Sequence, residues 1–245
     1  MTEAEIEAAV VAAAAVVASG QVQVPEDCKT LEAAVSWVHA EDRLTTIVVG
    51  KGEHQLDVNI VGDSGYLKIA SAMNIVGDSG VPKSEIVVVG GIRFKKWISG
   101  NCHLQHLTLR QATDCGVAGH SSFTMEDVLV EQCWYSGVSA DGSGVVCRCT
   151  NVEVRQCRWS GVRARSGASV TLIGAKTTVH HNCTTGASGA YGLGVYYPSS
   201  TIQLISPLTK ETVSTDNGGG GNWGAERGGD IQQIKTTCTV FPPMK

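Results

Sequence analysis

A repeat constrains this chain more than any other feature. The segments VLVEQCWYSGV (128–138) and VEVRQCRWSGV (152–162) agree at seven of eleven positions and begin 24 residues apart. A looser copy, LTLRQATDCGV (107–117), starts 21 residues earlier. In each, apolar and polar residues alternate over one short strand, and a Gly-Val pair follows. Self-similarity at this period marks a β-solenoid, in which a repeat is one turn and hides its apolar face only by stacking on its neighbours. At about 24 residues per turn, the stretch from Leu44 to Ile234 holds roughly eight turns.

Equivalent positions in stacked turns lie about 4.8 Å apart, so aligning the repeats yields a contact map. Val128, Val130, Val152 and Val154 stack inside, with Leu107 and Leu109 on the preceding turn. Cys133 stacks on Cys157, with Cys183 a continuation, and Gln132 on Gln156, with Gln111 before them, as an internal amide ladder. Arg110, Glu131 and Arg155 form an outer column of alternating sign, worth a fraction of a kcal/mol per pair. Two further columns carry more information. Trp134 aligns with Arg158 and Tyr135 with Trp159. Beyond the glycines, Ser139 aligns with Arg163 and Asp141 with Arg165. A solenoid core has little room for paired large rings, so at least one aromatic column faces outward. Exposed rings beside Arg and Asp can stack on sugars and hold hydroxyls or carboxylates. They equally suit a protein hot spot, or are covered by the tail or a loop. The candidate ligand-binding residues are Trp134, Tyr135, Arg158, Trp159 and Arg163. Asp141 and Arg165 are the candidate catalytic pair if the chain is an enzyme.

The flanks read differently. Thr2 and Glu5 form a capping box for an Ala-rich helix that stops at Ser19-Gly20. So small-faced a helix is expected to lie against the solenoid or to join copies of the chain into a homo-oligomer. Val22 and Val24 then alternate as a strand, Thr30 caps a short amphipathic helix near 30–40, and 46–49 is a buried strand. IVGDSG occurs twice, from Ile60 and from Ile75. Its duplication marks it as strand and turn, not as the nucleophile loop of a serine protease. The division expected is an N-terminal helix (1–20), the coil (21–235) and a tail (236–245) whose Pro242-Pro243 cannot sit in a central strand.

Composition excludes some classes. With a net charge of −4 in 245 residues, the chain lacks the basic surface of a nucleic-acid binder. No run reaches the roughly 20 apolar residues of a membrane span. The apolar run 8–18 follows Glu3, Glu5 and Glu7 where a signal peptide carries positive charge. The nine cysteines are an odd number recurring at repeat positions, which reads as buried thiols and not as a secreted disulfide framework. An intracellular protein is expected. His180, His181 and Cys183 are the nearest approach to a metal set, but strand neighbours point to opposite faces. Neither a metal nor a cofactor is expected.

The entry segment (strand, short helix, β-rich strand) and the V-x-V-x-Q-C-x-x-S-G-V repeat resemble the pectin-lyase-like right-handed parallel β-helix superfamily, over about residues 22–234. The short rungs are most similar to its carbohydrate-binding and sugar-hydrolase repeats. The resemblance implies an all-β, right-handed, single-stranded parallel β-helix whose N-terminal helix covers the open end of the coil, with the Ala-rich helix as an extra element. Its enzymes' motifs are missing: no RxPxxR, no NTD, GHG or RIK, no DPHD, and Gly119-His120-Ser121 is only a fragment. Glycosidase chemistry needs two carboxyls roughly 5 to 9.5 Å apart. Asp141 has no carboxylate at an aligned neighbouring position, and Asp114 lies on a turn of unassigned direction. The expectation is therefore a non-enzymatic scaffold that presents an aromatic and Arg surface to a polysaccharide or a protein. The alternative is a polysaccharide-active enzyme (uronate lyase, epimerase or glycosidase), in which Arg163 or Arg165 neutralises a uronate and Tyr135 or His120 moves a proton.

Overall fold

The computed structural model describes residues 2–57 and 65–238. Two helices and a strand lead in: α1 (Glu3–Ser19), β1 (Gln21–Val24) and α2 (Leu31–Ala40). Strands then come in threes. The first four triplets are β2 (Thr46–Val49), β3 (Gly52–Gln55), β4 (Tyr66–Ile69); β5 (Asn74–Gly77), β6 (Ile86–Val89), β7 (Gly91–Phe94); β8 (Cys102–Gln105), β9 (Thr108–Arg110), β10 (Val117–Gly119); and β11 (Phe123–Glu126), β12 (Leu129–Glu131), β13 (Val138–Asp141). Three more follow: β14 (Val146–Thr150), β15 (Glu153–Arg155), β16 (Val162–Arg165); β17 (Ser169–Ile173), β18 (Thr178–His180), β19 (Leu193–Tyr196); and β20 (Thr201–Ile205), β21 (Ser214–Thr215), β22 (Trp223–Glu226). A one-turn helix, α3 (Lys210–Val213), precedes β21, and β23 (Ile234–Thr237) ends the order.

Each member of a triplet pairs in parallel with its counterparts in the turns on either side. The result is a nine-stranded first sheet, β1-β2-β5-β8-β11-β14-β17-β20-β23, and second and third sheets of seven strands each. This is a parallel β-helix: seven three-strand turns, with β1 and β23 extending the first sheet at its ends, against the roughly eight expected. The last strand takes in Thr236 and Thr237, so the coil runs two residues past the expected boundary. The rest of the tail from residue 239, and the IVGDSG copy from Ile60, lie outside the described residues; the copy from Ile75 is the expected strand, followed by a turn closed by the Val81 amide donating to the Asp78 carbonyl.

Packing gives each position of the repeat a reason. Leu107, Leu109, Val128, Val130, Val152 and Val154 are all buried. Each full burial stabilises the coil by roughly 1.5–3 kcal/mol. The next residue but one departs from strand alternation. Gln111, Gln132, Gln156, His181 and Asp216 end successive strands of the second sheet with φ of 53–56°. This left-handed corner keeps the residue outside and turns the following one inward. Hence Gln132 and Gln156 are exposed, and their side chains hydrogen-bond outside the coil at 3.3 Å, where an internal ladder was expected. The inward column is Ala112, Cys133, Cys157, Asn182 and Asn217. The expected continuation in Cys183 is therefore corrected to Asn182, whose amide and Nδ2 donate to Asn217 Oδ1 at 2.9 and 3.0 Å. The amide ladder exists, one corner residue later and two turns further on.

The recurring glycine is a steric requirement. A Cβ on Gly137 would stand 2.9 Å from the Gly161 carbonyl oxygen and closer still to Val154 Cγ1; Gly116 and Gly161 meet the same obstruction one turn away. At the N-terminal end, α2 starts at Thr30, whose Oγ1 accepts from the Ala33 amide, and buries Leu31, Ala34, Val35 and Val38 over the first turn of the coil. The extra helix behaves otherwise. Its capping box forms as expected, and Gly20 ends it at φ 73°. Yet it does not lie along the solenoid: only Val16 and Val17, in its last turn, pack against the core, while Ile6, Val10 and Val11 are exposed.

Candidate functional site

The third sheet turns two outer columns toward solvent. Strand pairing puts Arg93, Ala118, Ser139, Arg163 and Gly194 in one, and Asp141, Arg165, Tyr196 and Glu226 in the other. Small residues at 118 and 139 leave a hollow between the two arginines. The corner before this sheet supplies one wall. There the Tyr135 amide donates to the Asp114 carbonyl and the Trp159 amide to the Tyr135 carbonyl, so Asp114, Tyr135 and Trp159 climb the corner one per turn. The Tyr135 and Trp159 rings stack with centroids 5.4 Å apart and planes 19° from parallel.

Two cavities result, of about 260 and 250 Å³. They share Tyr135, Arg163 and Arg165, so they form one groove along the coil axis. Tyr66, Arg93, Asp114, His120 and Asp141 line the first lobe. Trp159, Tyr196, Glu226 and Arg227 line the second. The structure thus gathers five of the seven residues expected from the repeat: Tyr135, Asp141, Trp159, Arg163 and Arg165. It sets the other two apart. Trp134 stands on the outer corner, 60% exposed, with the Arg158 guanidinium 3.5 Å above its ring. That stacking is worth about 0.5–1 kcal/mol and covers one face of the ring.

Three arginines of the groove differ in their partners. Arg165 Nη1 is 3.4 Å from Asp141 Oδ2. Arg93 lies 3.8 Å from both the Asp114 carboxylate and the Tyr66 ring centroid, and its buried Nε has no hydrogen-bond partner. Arg163, only 6% exposed, donates from Nε to Ser139 Oγ at 3.0 Å, approaches Cys115 Sγ with Nη2 at 3.9 Å and lies 4.5 Å from the Tyr135 ring centroid. Burial works against its charge; the neighbouring Cys115 thiol and the Tyr135 and Tyr196 hydroxyls outweigh this and raise its pKa. Burial pushes Tyr196 up to about 12, and its hydroxyl is tied to Ser160 Oγ and the Gly189 carbonyl. At the rim, a hydrogen bond from Arg227 at 2.7 Å, with help from Arg165, lowers the Tyr197 pKa.

Sequence reasoning missed Tyr66, Arg93, Tyr196, Glu226 and Arg227, which lie on turns where the repeat has decayed. Carrying the Ser139–Arg163 and Asp141–Arg165 columns further along the coil reaches Tyr196 after one turn and Arg93 and Glu226 after two, but not Tyr66 or Arg227. Asp114 proves to face the same lobe as Asp141.

The histidine pair corrects another expectation. His180 and His181 do converge, with Nδ1 atoms 2.7 Å apart, because the left-handed corner at His181 folds its ring back beside its neighbour. His180 Nε2 contacts Glu153 Oε1 at 3.2 Å. Among the described residues no group of three His, Cys, Asp or Glu side chains could hold a metal ion, and no helix is long and apolar enough to cross a membrane. Comparison with known protein families, with curated proteins and with solved structures finds no match to this chain.

Proposed function

We propose that the chain is a binding scaffold of the pectin-lyase-like kind whose third-sheet groove takes a stretch of polysaccharide. The observation that carries this reading is the single groove made from two lobes with a shared Tyr135, Arg163 and Arg165 wall. Each lobe is smaller than the roughly 300–1,000 Å³ typical of drug-sized ligands, and such pockets are mostly apolar, whereas this lining is rich in Arg, Asp, Ser and Tyr. An elongated polar trench with one aromatic pair suits a polar chain better than a compact apolar molecule. A protein partner would engage Trp134 and Arg158 on the outer corner instead, since buried aromatic and Arg anchors dominate protein interfaces.

A glycan array with Trp159→Ala and Trp134→Ala variants tests this. Trp159→Ala is expected to weaken glycan binding about tenfold or more, the scale of a hot-spot residue, with Trp134→Ala near wild type. The reverse order would move the working surface to the corner and favour a protein partner.

The enzyme reading keeps one observation in its favour: Asp141 and Arg165 form a pair in the same lobe as Tyr66 and His120. It requires product release from a polysaccharide panel and its loss in Asp141→Ala. Binding without product supports the scaffold. The nine free cysteines, seven of them buried, support placing the protein in a reducing, intracellular setting.

A further inference from the structure

Arg163 is the one arginine of the groove's shared wall without an acid. The acids of the first lobe are engaged elsewhere, Asp141 with Arg165 and Asp114 with Arg93. Among the described residues no carboxylate lies within ion-pair distance of Arg163. A guanidinium carries five N–H donors in a planar fork. Ser139 Oγ and the distant Cys115 Sγ face Nε and Nη2, and the Tyr135 hydroxyl also bonds the guanidinium; none of the three is a carboxylate. The residue lines both lobes. Over the whole groove Arg93, Arg163, Arg165 and Arg227 face Asp114, Asp141 and Glu226, a surplus of one cation. This sits on a chain whose net charge is −4. Holding a buried charge with no counter-charge is costly, and a fold that only needed packing there would do better with an apolar side chain.

We propose that Arg163 is the receptor for an oxyanion, a carboxylate or sulfate borne by the ligand, so that the groove selects an acidic glycan over a neutral one. This rests on the reading of the groove as a polysaccharide site and specifies its substrate class. A planar fork facing a shared wall can grip such a group through two parallel N–H···O bonds. Sugar rings on either side of it would occupy the two lobes.

The test is titration calorimetry at fixed low ionic strength with wild type, Arg163→Met and Arg163→Lys. The probes are tetragalacturonate (carboxylate), a chondroitin sulfate tetrasaccharide (sulfate and carboxylate) and neutral cellotetraose. Thermal melts with sodium acetate and sodium sulfate run alongside. At least one acidic probe should bind about tenfold or more tighter than the neutral one. Arg163→Met should lose that preference, by about tenfold or more. Arg163→Lys, which keeps the charge but not the fork, should fall between the two. Without ligand, Arg163→Met should melt no lower than wild type, whereas a merely structural arginine would lower it. Equal binding of acidic and neutral probes, or affinity retained in Arg163→Met, overturns the oxyanion assignment and leaves the groove reading standing. Should no oligosaccharide bind while acetate or sulfate raises the melting temperature of wild type only, the anion site stands and the glycan reading falls. No response to any probe removes both.

Discussion

At the scale of the residue, the repeat is explained by three constraints acting on neighbouring positions: a left-handed corner, an inward small side chain, and a glycine against the carbonyl of the next turn. The glycine gives the sharpest prediction. Gly137→Ala must push Val154 or the Gly161 carbonyl aside, an overpacking that costs about 1–3 kcal/mol. Gly80→Ala is the control, because its added Cβ would meet only Asp78 Oδ1 at 3.4 Å and its φ is unexceptional; it should be neutral, or stabilising by about 0.4–1 kcal/mol. Urea denaturation of the two variants checks the contrast, and equal effects would mean that the turn can slide to admit a methyl group. The Gly-Val pair was plain in the sequence because identical constraints recur at identical spacing. The corner was not. Gln132 reads as one more alternating residue until its φ of 56° is known; the same angle at Gln156 keeps both amides outside, and at His181 and Asp216 it turns Asn182 and Asn217 inward.

At the scale of the element, the corners between the first and second sheets are stapled by side chains. Asp127, at φ 51°, accepts from Lys83 Nζ at 2.7 Å and contacts His106 Nδ1 at 2.7 Å, while His106 Nε2 reaches the Val81 carbonyl at 2.9 Å. Burial alone would raise the Asp127 pKa, but the hydrogen bonds from Lys83 and His106 outweigh it and hold it below the ordinary value. A carboxylate depressed in the folded state adds stability that is fully present above the unfolded value, about 3.9, and disappears as the pH falls through the folded one. Asp127→Asn, which tolerates the same backbone, should therefore lower stability at pH 7. The loss should stay below about 1 kcal/mol, because the group is partly exposed and screened. The difference should close in acid, once the pH has fallen below the depressed folded-state value. Urea titrations of both proteins at the two pH values decide it; a gap that persists in acid would assign the effect to packing. The extra helix makes the opposite case. Only its last turn meets the core, so deleting residues 2–15 should leave the thermal transition of the coil unchanged within about 2 °C, the shift expected for a change well under 1 kcal/mol.

At the scale of the whole molecule, stacking turns generates a continuous interior and a continuous groove from the same registers. The interior was legible because it repeats. The groove was legible only where two full repeats overlap, at Tyr135, Trp159, Arg163, Asp141 and Arg165. Its ends are built by Arg93 and Glu226, two turns beyond the clear repeats, and by Tyr66 and Arg227, which no repeat predicts, since a ligand surface is shaped by differences between turns and not by their sameness. The cysteines follow the interior. Cys102, Cys115, Cys133, Cys147, Cys149, Cys157 and Cys183 are buried, Cys28 is half-buried and Cys238 is exposed. Burial raises the pKa of Cys102, Cys115 and Cys147, and lifts Cys183 to about 12. In Cys133 the largest cause is a hydrogen bond its thiol makes to Cys157, which acts in the same direction as burial. The thiolate is the reactive form, so these side chains are protected both by access and by protonation. Alkylation at pH 8, followed by mass spectrometry, should label Cys238 quickly and Cys28 more slowly. The other seven should react only in denaturant, and together. In a solenoid stabilised between nearest neighbours, sequential labelling from one end would instead show the turns opening independently.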